Sequence, residues 1–226
     1  MAPTVGVVVF PGTNCEHDVV AGIERLGGSA RLVFHAESSL DGLDAVILPG
    51  GFAHGDYLRP GAIARFSPIM AAVSDFARSG GAVVGICNGF QVLCEAQLLP
   101  GALQKNRGLT FLCERARLRV CSTRSVLTSR ASVGDELEVP INHFLGSYTC
   151  DLDTLRMLND EERVLLRYLD NPNGSIDDIA GISNAEGNVV GLMPHPERAV
   201  TELLGSSDGV VLLASLLDAA SLAVSR

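Results

Sequence analysis

The chain has 226 residues, 47% of them hydrophobic, and a formal net charge of −9. That length suits one α/β domain over residues 1–226, and nothing in the composition forces a second. The acidic balance argues against nucleic acid, whose binding needs clustered Lys and Arg, and apolar runs this short exclude a membrane span.

The six cysteines (15, 87, 94, 113, 121 and 150) contain no Cys-x-x-Cys pair and no zinc spacing, so no metal site is expected. The N-terminus opens directly on a strand-like run, without a basic region or cleavage site. A cytoplasmic protein with reduced thiols is therefore expected.

Residues 5–10 are continuously apolar, as a strand covered on both faces would be. Pro11-Gly12-Thr13-Asn14 interrupts the run, and Thr13 with Glu16 makes a capping-box pattern for a helix reaching residue 26. Gly27-Gly28 stops it. Residues 30–34 and 45–48 are the next strand candidates, the second followed at once by Pro49-Gly50-Gly51-Phe52. Residues 68–79 read as a helix with Ser67 as cap and Gly80 at its end. A buried strand at 82–86 and a short helix at 89–97 come next, ended by Leu99-Pro100-Gly101.

Strand and helix thus alternate through the first hundred residues, which predicts an α/β fold with a doubly wound, mostly parallel central sheet flanked by helices. Ligands of such sheets lie outside the carboxyl ends of the strands. Three Gly-containing loops fall at that edge: 11–14, 49–52 and 87–89. Beyond residue 111 the pattern loosens. Strand candidates are 115–121, 164–168, 179–182 and 189–193, and Asn171-Pro172-Asn173-Gly174 is turn chemistry. An apolar helix is expected over about 208–224, with Ser206 or Ser207 as cap.

Cys87 lies in Gly85-Ile86-Cys87-Asn88-Gly89, between the buried strand and its helix. This is the small-residue frame of a nucleophile elbow, with a thiol in place of a hydroxyl. The glycines allow a sharp turn, and the helix N-terminus favours a thiolate. A plain core cysteine is the alternative, and the glycines on both sides favour the nucleophile.

A thiol nucleophile needs a base, and the base an orienting group. Of five histidines, His17 reads as a solvated face residue and His35 carries no motif, while His54 and His143 fall in loops that could touch a substrate. His195 stands apart, in Met193-Pro194-His195-Pro196-Glu197-Arg198 just after a predicted strand. Two prolines predict an extended segment, with His195 and Glu197 on one face roughly 6–7 Å apart at Cα. A carboxylate there holds the imidazole tautomer and stabilises its protonated form. For an oxyanion, the Asn88 amide is one candidate donor, and Gly50-Gly51, if not simply a tight turn, the source of another.

These motifs resemble class I (triad) glutamine amidotransferases, whose fold has a flavodoxin-like core. More narrowly, the chain is similar to the glutaminase subunits of phosphoribosylformylglycinamidine (FGAM) synthase, from de novo purine biosynthesis. The similarity rests on Phe10-Pro11-Gly12-Thr13-Asn14-Cys15, on Pro49-Gly50-Gly51-Phe52 running into Gly55-Asp56-Tyr57-Leu58-Arg59, on Cys87-Asn88-Gly89-Phe90-Gln91, and on the segment from Gly191 to Arg198. The resemblance implies that Cys87 attacks the glutamine side-chain amide, His195 shuttles protons and Glu197 orients it. It implies that the Gly51 and Asn88 amides hold the oxyanion, and that Gly50, Phe52, Gln91 and His143 belong to the glutamine site. Ammonia would pass to a large synthetase subunit that uses ATP and magnesium, in a complex that also holds a small third subunit. No cofactor is expected on this chain, which has no phosphate loop of its own.

One stretch departs from the family pattern. Asn142-His143-Phe144-Leu145-Gly146 stands where Ala-His-Gly-Glu-Gly is usual, at a point where related enzymes hold the glutamine backbone groups. Three other readings compete: an amidotransferase subunit serving a different acceptor, a cysteine hydrolase on a similar fold, and a catalytically silent scaffold subunit. The stretch from Gly55 to Arg59 argues against the first, and the His-Pro-Glu sequence against the second.

Overall fold

The computed structural model describes residues 2–223. It runs β1 (Thr4–Val9), α1 (Glu16–Arg25), β2 (Ser29–Phe34), β3 (Ala45–Leu48), α2 (Ile69–Arg78), β4 (Ala82–Ile86) and α3 (Asn88–Glu95). There follow β5 (Ala102–Gln104), β6 (Leu112–Val120), β7 (Glu136–His143), β8 (Ser147–Thr149) and α4 (Leu152–Asp160). The chain closes with β9 (Val164–Tyr168), β10 (Ile179–Ser183), β11 (Val189–Leu192) and α5 (Gly209–Ala223). Among the described residues, nine strands form one sheet in the order β2-β1-β3-β4-β11-β10-β9-β6-β7, and β5 pairs with β8 apart from it.

From β2 to β11 every neighbouring pair is parallel; from β11 to β7 every pair is antiparallel. The expected α/β sheet is therefore present, with an antiparallel extension on one side. β3 and β4 are buried at every residue, which is why they read as unbroken apolar runs rather than alternating ones. The carboxyl ends of β1, β3, β4 and β11 lie side by side because these strands are adjacent and parallel. The loops that follow them (from Pro11, Pro49, Cys87 and Met193) must therefore converge. The chain reverses its winding between β1 and β3, so this edge is also the topological switch point, where ligands bind in such sheets.

Two expected caps are not formed. Cys15, not Thr13, precedes α1 and gives no side-chain cap; the Thr13 hydroxyl accepts the Phe10 N–H instead. Pro68 precedes α2, and Ser67 turns its hydroxyl toward His54 Nε2 at 3.5 Å. The last helix starts at Gly209, and its expected end at Val224 lies outside the described residues. β5, β7, β8 and α4 are additions to the sequence reading. β7 carries Pro140 at its centre, which hides a strand from pattern reading; its place at the end of the strand order is where a sheet tolerates proline. No helix among the described residues is long and apolar enough to cross a membrane.

Candidate active site

Cys87 occupies the turn between β4 and α3 with φ 51° and ψ −104°. This conformation is sparsely populated for a residue with a side chain and costs about 1–3 kcal/mol. The surroundings impose it. The Cys87 N–H donates to Leu192 O at 2.8 Å, fixing the turn to β11, and its carbonyl accepts the Gln91 N–H of the first helical turn. Strand and helix close tightly on either side: a Cβ on Gly89 would lie 1.9 Å from Leu48 O, and one on Gly85 2.6 Å from the Gly89 backbone. Both positions therefore require glycine.

His195 and Glu197 follow β11. Their side chains form a buried pair, His195 Nδ1 to Glu197 Oε1 at 2.6 Å, with 1% and 2% of each residue exposed. The extended segment expected here is not what joins them. Pro196–Arg198 is a single 3-10 turn, closed by Arg198 N–H to His195 O and Ala199 N–H to Pro196 O. The prolines set φ but leave ψ free, so the chain curls and brings carboxylate to imidazole. The His195 N–H is held from β7, by Pro140 O at 2.8 Å. Burial works against the charged imidazole, but Glu197, Cys87 and Cys15 outweigh it and raise His195 well above the ordinary histidine range. Its Nε2 is buried and makes no hydrogen bond among the described residues, and the Cys87 thiol donates to Asn142 O at 3.6 Å.

Cys87, His195, Gly51, Phe52, Gln91 and His143 line one cleft. Gly50 sits behind it: a Cβ there would lie 2.7 Å from His195 Cε1 and 3.5 Å from Cys87 Cβ. Its carbonyl accepts the amides of Asn14 and Cys15. The Asn88 side chain does more than its amide alone was expected to do. Its Oδ1 accepts the Ala53 N–H at 2.9 Å, and its Nδ2 donates to Asp56 Oδ1 at 3.1 Å and Gln91 Oε1 at 2.8 Å. Gln91 Nε2 in turn donates to Leu145 O at 2.6 Å. One chain of side-chain amides thus sews the loop after β3 to α3 and to the segment after β7.

His143 is the last residue of β7 rather than a loop residue, and is buried. Burial, then the neighbouring His195, lowers it to about 4. It is therefore neutral, with Nδ1 bonded to Asn106 Oδ1 at 3.1 Å. Asn106 also accepts the Gly146 N–H and donates to His143 O and Thr110 O. His17 is solvated as expected, and His35 and His54 meet edge-on with ring centroids 5.5 Å apart.

Six cleft residues were not among the expected ones: Asn14, Cys15, Asp56, Asn142, Phe144 and Leu145. Cys15 lies at the end of the first edge loop, where its thiol accepts from Arg198 Nη2 at 3.2 Å and donates to Asn14 Oδ1. The convergence of that loop with the others was the available signal. Asp56 is half-buried, and burial pushes its carboxyl up to about 6, against the pull of the Asn88 amide.

A thiol on a strained strand-to-helix turn, with a buried His–Glu pair at the neighbouring strand end, defines a class: triad glutamine amidotransferases. The CobB/CobQ-like glutamine amidotransferase domain matches residues 2–207. Among similar proteins, the phosphoribosylformylglycinamidine synthase subunit PurQ of Rubrobacter xylanophilus is 57% identical, over 94% of this chain and 97% of that protein. That of Synechococcus elongatus is 54% identical, over 95% and 97%. Among solved structures, PurLQS from Thermotoga maritima aligns with a TM-score of 0.90 at 41% identity, covering 96% of this chain and 99% of the other. A putative GMP synthase protein from Thermoplasma acidophilum, at 16% identity and a TM-score of 0.63, shares the fold. The chain belongs to the PurQ family of glutamine amidotransferase subunits of FGAM synthase.

Proposed function

We propose that this chain hydrolyses glutamine to glutamate and ammonia through Cys87 and delivers the ammonia to a separate synthetase subunit. That subunit uses ATP and magnesium to convert formylglycinamide ribonucleotide to its amidine, and a small third subunit completes the complex. The setting is the cytoplasm, in keeping with six unbridged thiols. The observation that carries the reading is the buried His195–Glu197 pair beside Cys87 at the convergent strand ends.

The chemistry follows from the groups present. Cys87 gives its proton to His195 Nε2, and the sulfur attacks the side-chain amide carbon of glutamine. The resulting oxyanion is held by the backbone amides of Gly51 and Asn88, which cost no reorganisation because the backbone is already fixed. His195 returns the proton to the amide nitrogen, the C–N bond breaks and ammonia leaves a glutamyl thioester. A water molecule, deprotonated by His195, attacks the thioester; the C–S bond breaks, releasing glutamate and restoring the thiol. Glu197 holds Nδ1–H, keeps Nε2 as the working nitrogen and stabilises the imidazolium between steps. In a site this dry, that charge pairing is worth far more than at the surface.

Cys87→Ser should lower glutamine-dependent FGAM formation by the complex by at least about 10⁴-fold, as loss of a triad nucleophile does. Formation from added ammonium salt should persist. Survival of the glutamine-dependent reaction would sink the reading.

A further inference from the structure

We propose that Asp56 binds the α-ammonium group of glutamine and so restricts the site to the free amino acid; the proposal rests on glutamine being the substrate of the Cys87 cleft. Glutamine carries three groups to be recognised: the side-chain amide, which goes to Cys87, an α-carboxylate and an α-ammonium. Among the described residues, Asp56 is the one acidic side chain lining the cleft.

The carboxylate is held in place. Its Oδ1 accepts from Asn88, the residue directly after the nucleophile, so the carboxylate is tied to the stretch of chain that carries the sulfur of Cys87. The loop that carries it is bent to put it there. His54, Gly55 and Asp56 have φ of 53°, 69° and 53°, and Leu58, beyond an extended Tyr57, has 70°, left-handed values that residues other than glycine rarely adopt. Hydrogen bonds from Ala53 N to Asn88 Oδ1, His54 N to Pro11 O and Gly55 N to Phe52 O hold that backbone. Strain of this kind collects where a fold positions a ligand group.

Among the described residues, no Lys, Arg or His nitrogen forms an ion pair with Asp56, and its carboxyl is shifted upward by burial with only the Asn88 amide opposing. A half-buried carboxylate without a counter-ion is a cost to the empty site. A bound ammonium removes it, so binding of the zwitterion is favoured over binding of an analogue without the amine.

The test is Asp56→Asn in the full chain assembled with its synthetase, measured with glutamine and with 4-carbamoylbutanoate. The second compound keeps the amide and carboxylate but lacks the amine. In the variant, KM for glutamine should rise about ten- to hundredfold, the worth of a charged hydrogen bond, with kcat changed far less. The inhibition constant of 4-carbamoylbutanoate should be the same in both forms. An unchanged KM for glutamine overturns the proposal, and so does a parallel weakening of both ligands, which would mean that Asp56 only shapes the loop. Labelling of wild-type Cys87 by an electrophilic glutamine analogue separates the two levels: if it fails, the underlying reading fails; if it succeeds while KM is unmoved, this inference alone is wrong.

Discussion

The parallel and antiparallel halves of the sheet contribute to the site in different ways. From the parallel half come Cys87 at the end of β4, the Gly50-Gly51 turn after β3 and the His195–Glu197 pair after β11. From the antiparallel half come Pro140 O, which holds the His195 backbone, and His143, Phe144 and Leu145, which form the opposite wall. The first set places reacting groups by strand adjacency alone. The second supports and encloses them through hydrogen bonds between segments far apart in sequence, such as Gln91 to Leu145 O and Asn106 to Gly146. On the proposed mechanism the reaction would therefore depend on the parallel edge, and the shape of the glutamine site on the antiparallel wall.

Substitutions sharpen that division. The largest effect belongs to the buried pair. Glu197→Gln keeps the shape of the site but removes the charge that fixes the imidazole, and glutamine-dependent kcat should fall about 10³–10⁴-fold. Measuring the reaction with added ammonium salt alongside separates this from a folding defect. Next is Gly89→Ala. A Cβ 1.9 Å from Leu48 O cannot be relieved by turning a side chain, because the neighbour is backbone. The loss should exceed about 3 kcal/mol in denaturant unfolding, above the usual cost of overpacking. A mild loss would show that α3 slides on β3 more freely than the packing implies. Asn106→Ala acts on the wall alone. Removing it leaves buried His143 Nδ1 and the Gly146 N–H without their acceptor, at about 1–3 kcal/mol of stability. KM for glutamine should rise while labelling of Cys87 at saturating analogue persists. If kcat fell as far as in Glu197→Gln, the two halves would not be separable.

The same division explains what was legible in the sequence. β3, β4 and the elbow are local: a buried apolar run, glycines on both sides of a cysteine and a following helix are all written within ten residues. His195 and Glu197 were found through their motif, although the 3-10 turn that joins them was not, because proline constrains φ and leaves ψ to the tertiary context. The wall was harder. β7 is broken in pattern by Pro140, and its strand character comes from pairing with β6. Thr13 looked like a helix cap, but its hydroxyl is taken by Phe10 N–H in the turn that delivers Cys15 to the cleft. Asp56 lies in the family-like stretch from Gly55 to Arg59, but its place in the cleft was not legible, since the left-handed loop and the Asn88 amide bring it to the site.

The central claim is that Cys87 is the glutamine-attacking nucleophile. Its most direct test is intact mass and peptide mapping after incubation with an electrophilic glutamine analogue, with the synthetase subunit present. The account predicts a single adduct on Cys87, suppressed by excess glutamine, with Cys15 and the four other thiols unmodified. An absence of adduct, or an adduct on another cysteine that glutamine fails to suppress, would contradict it.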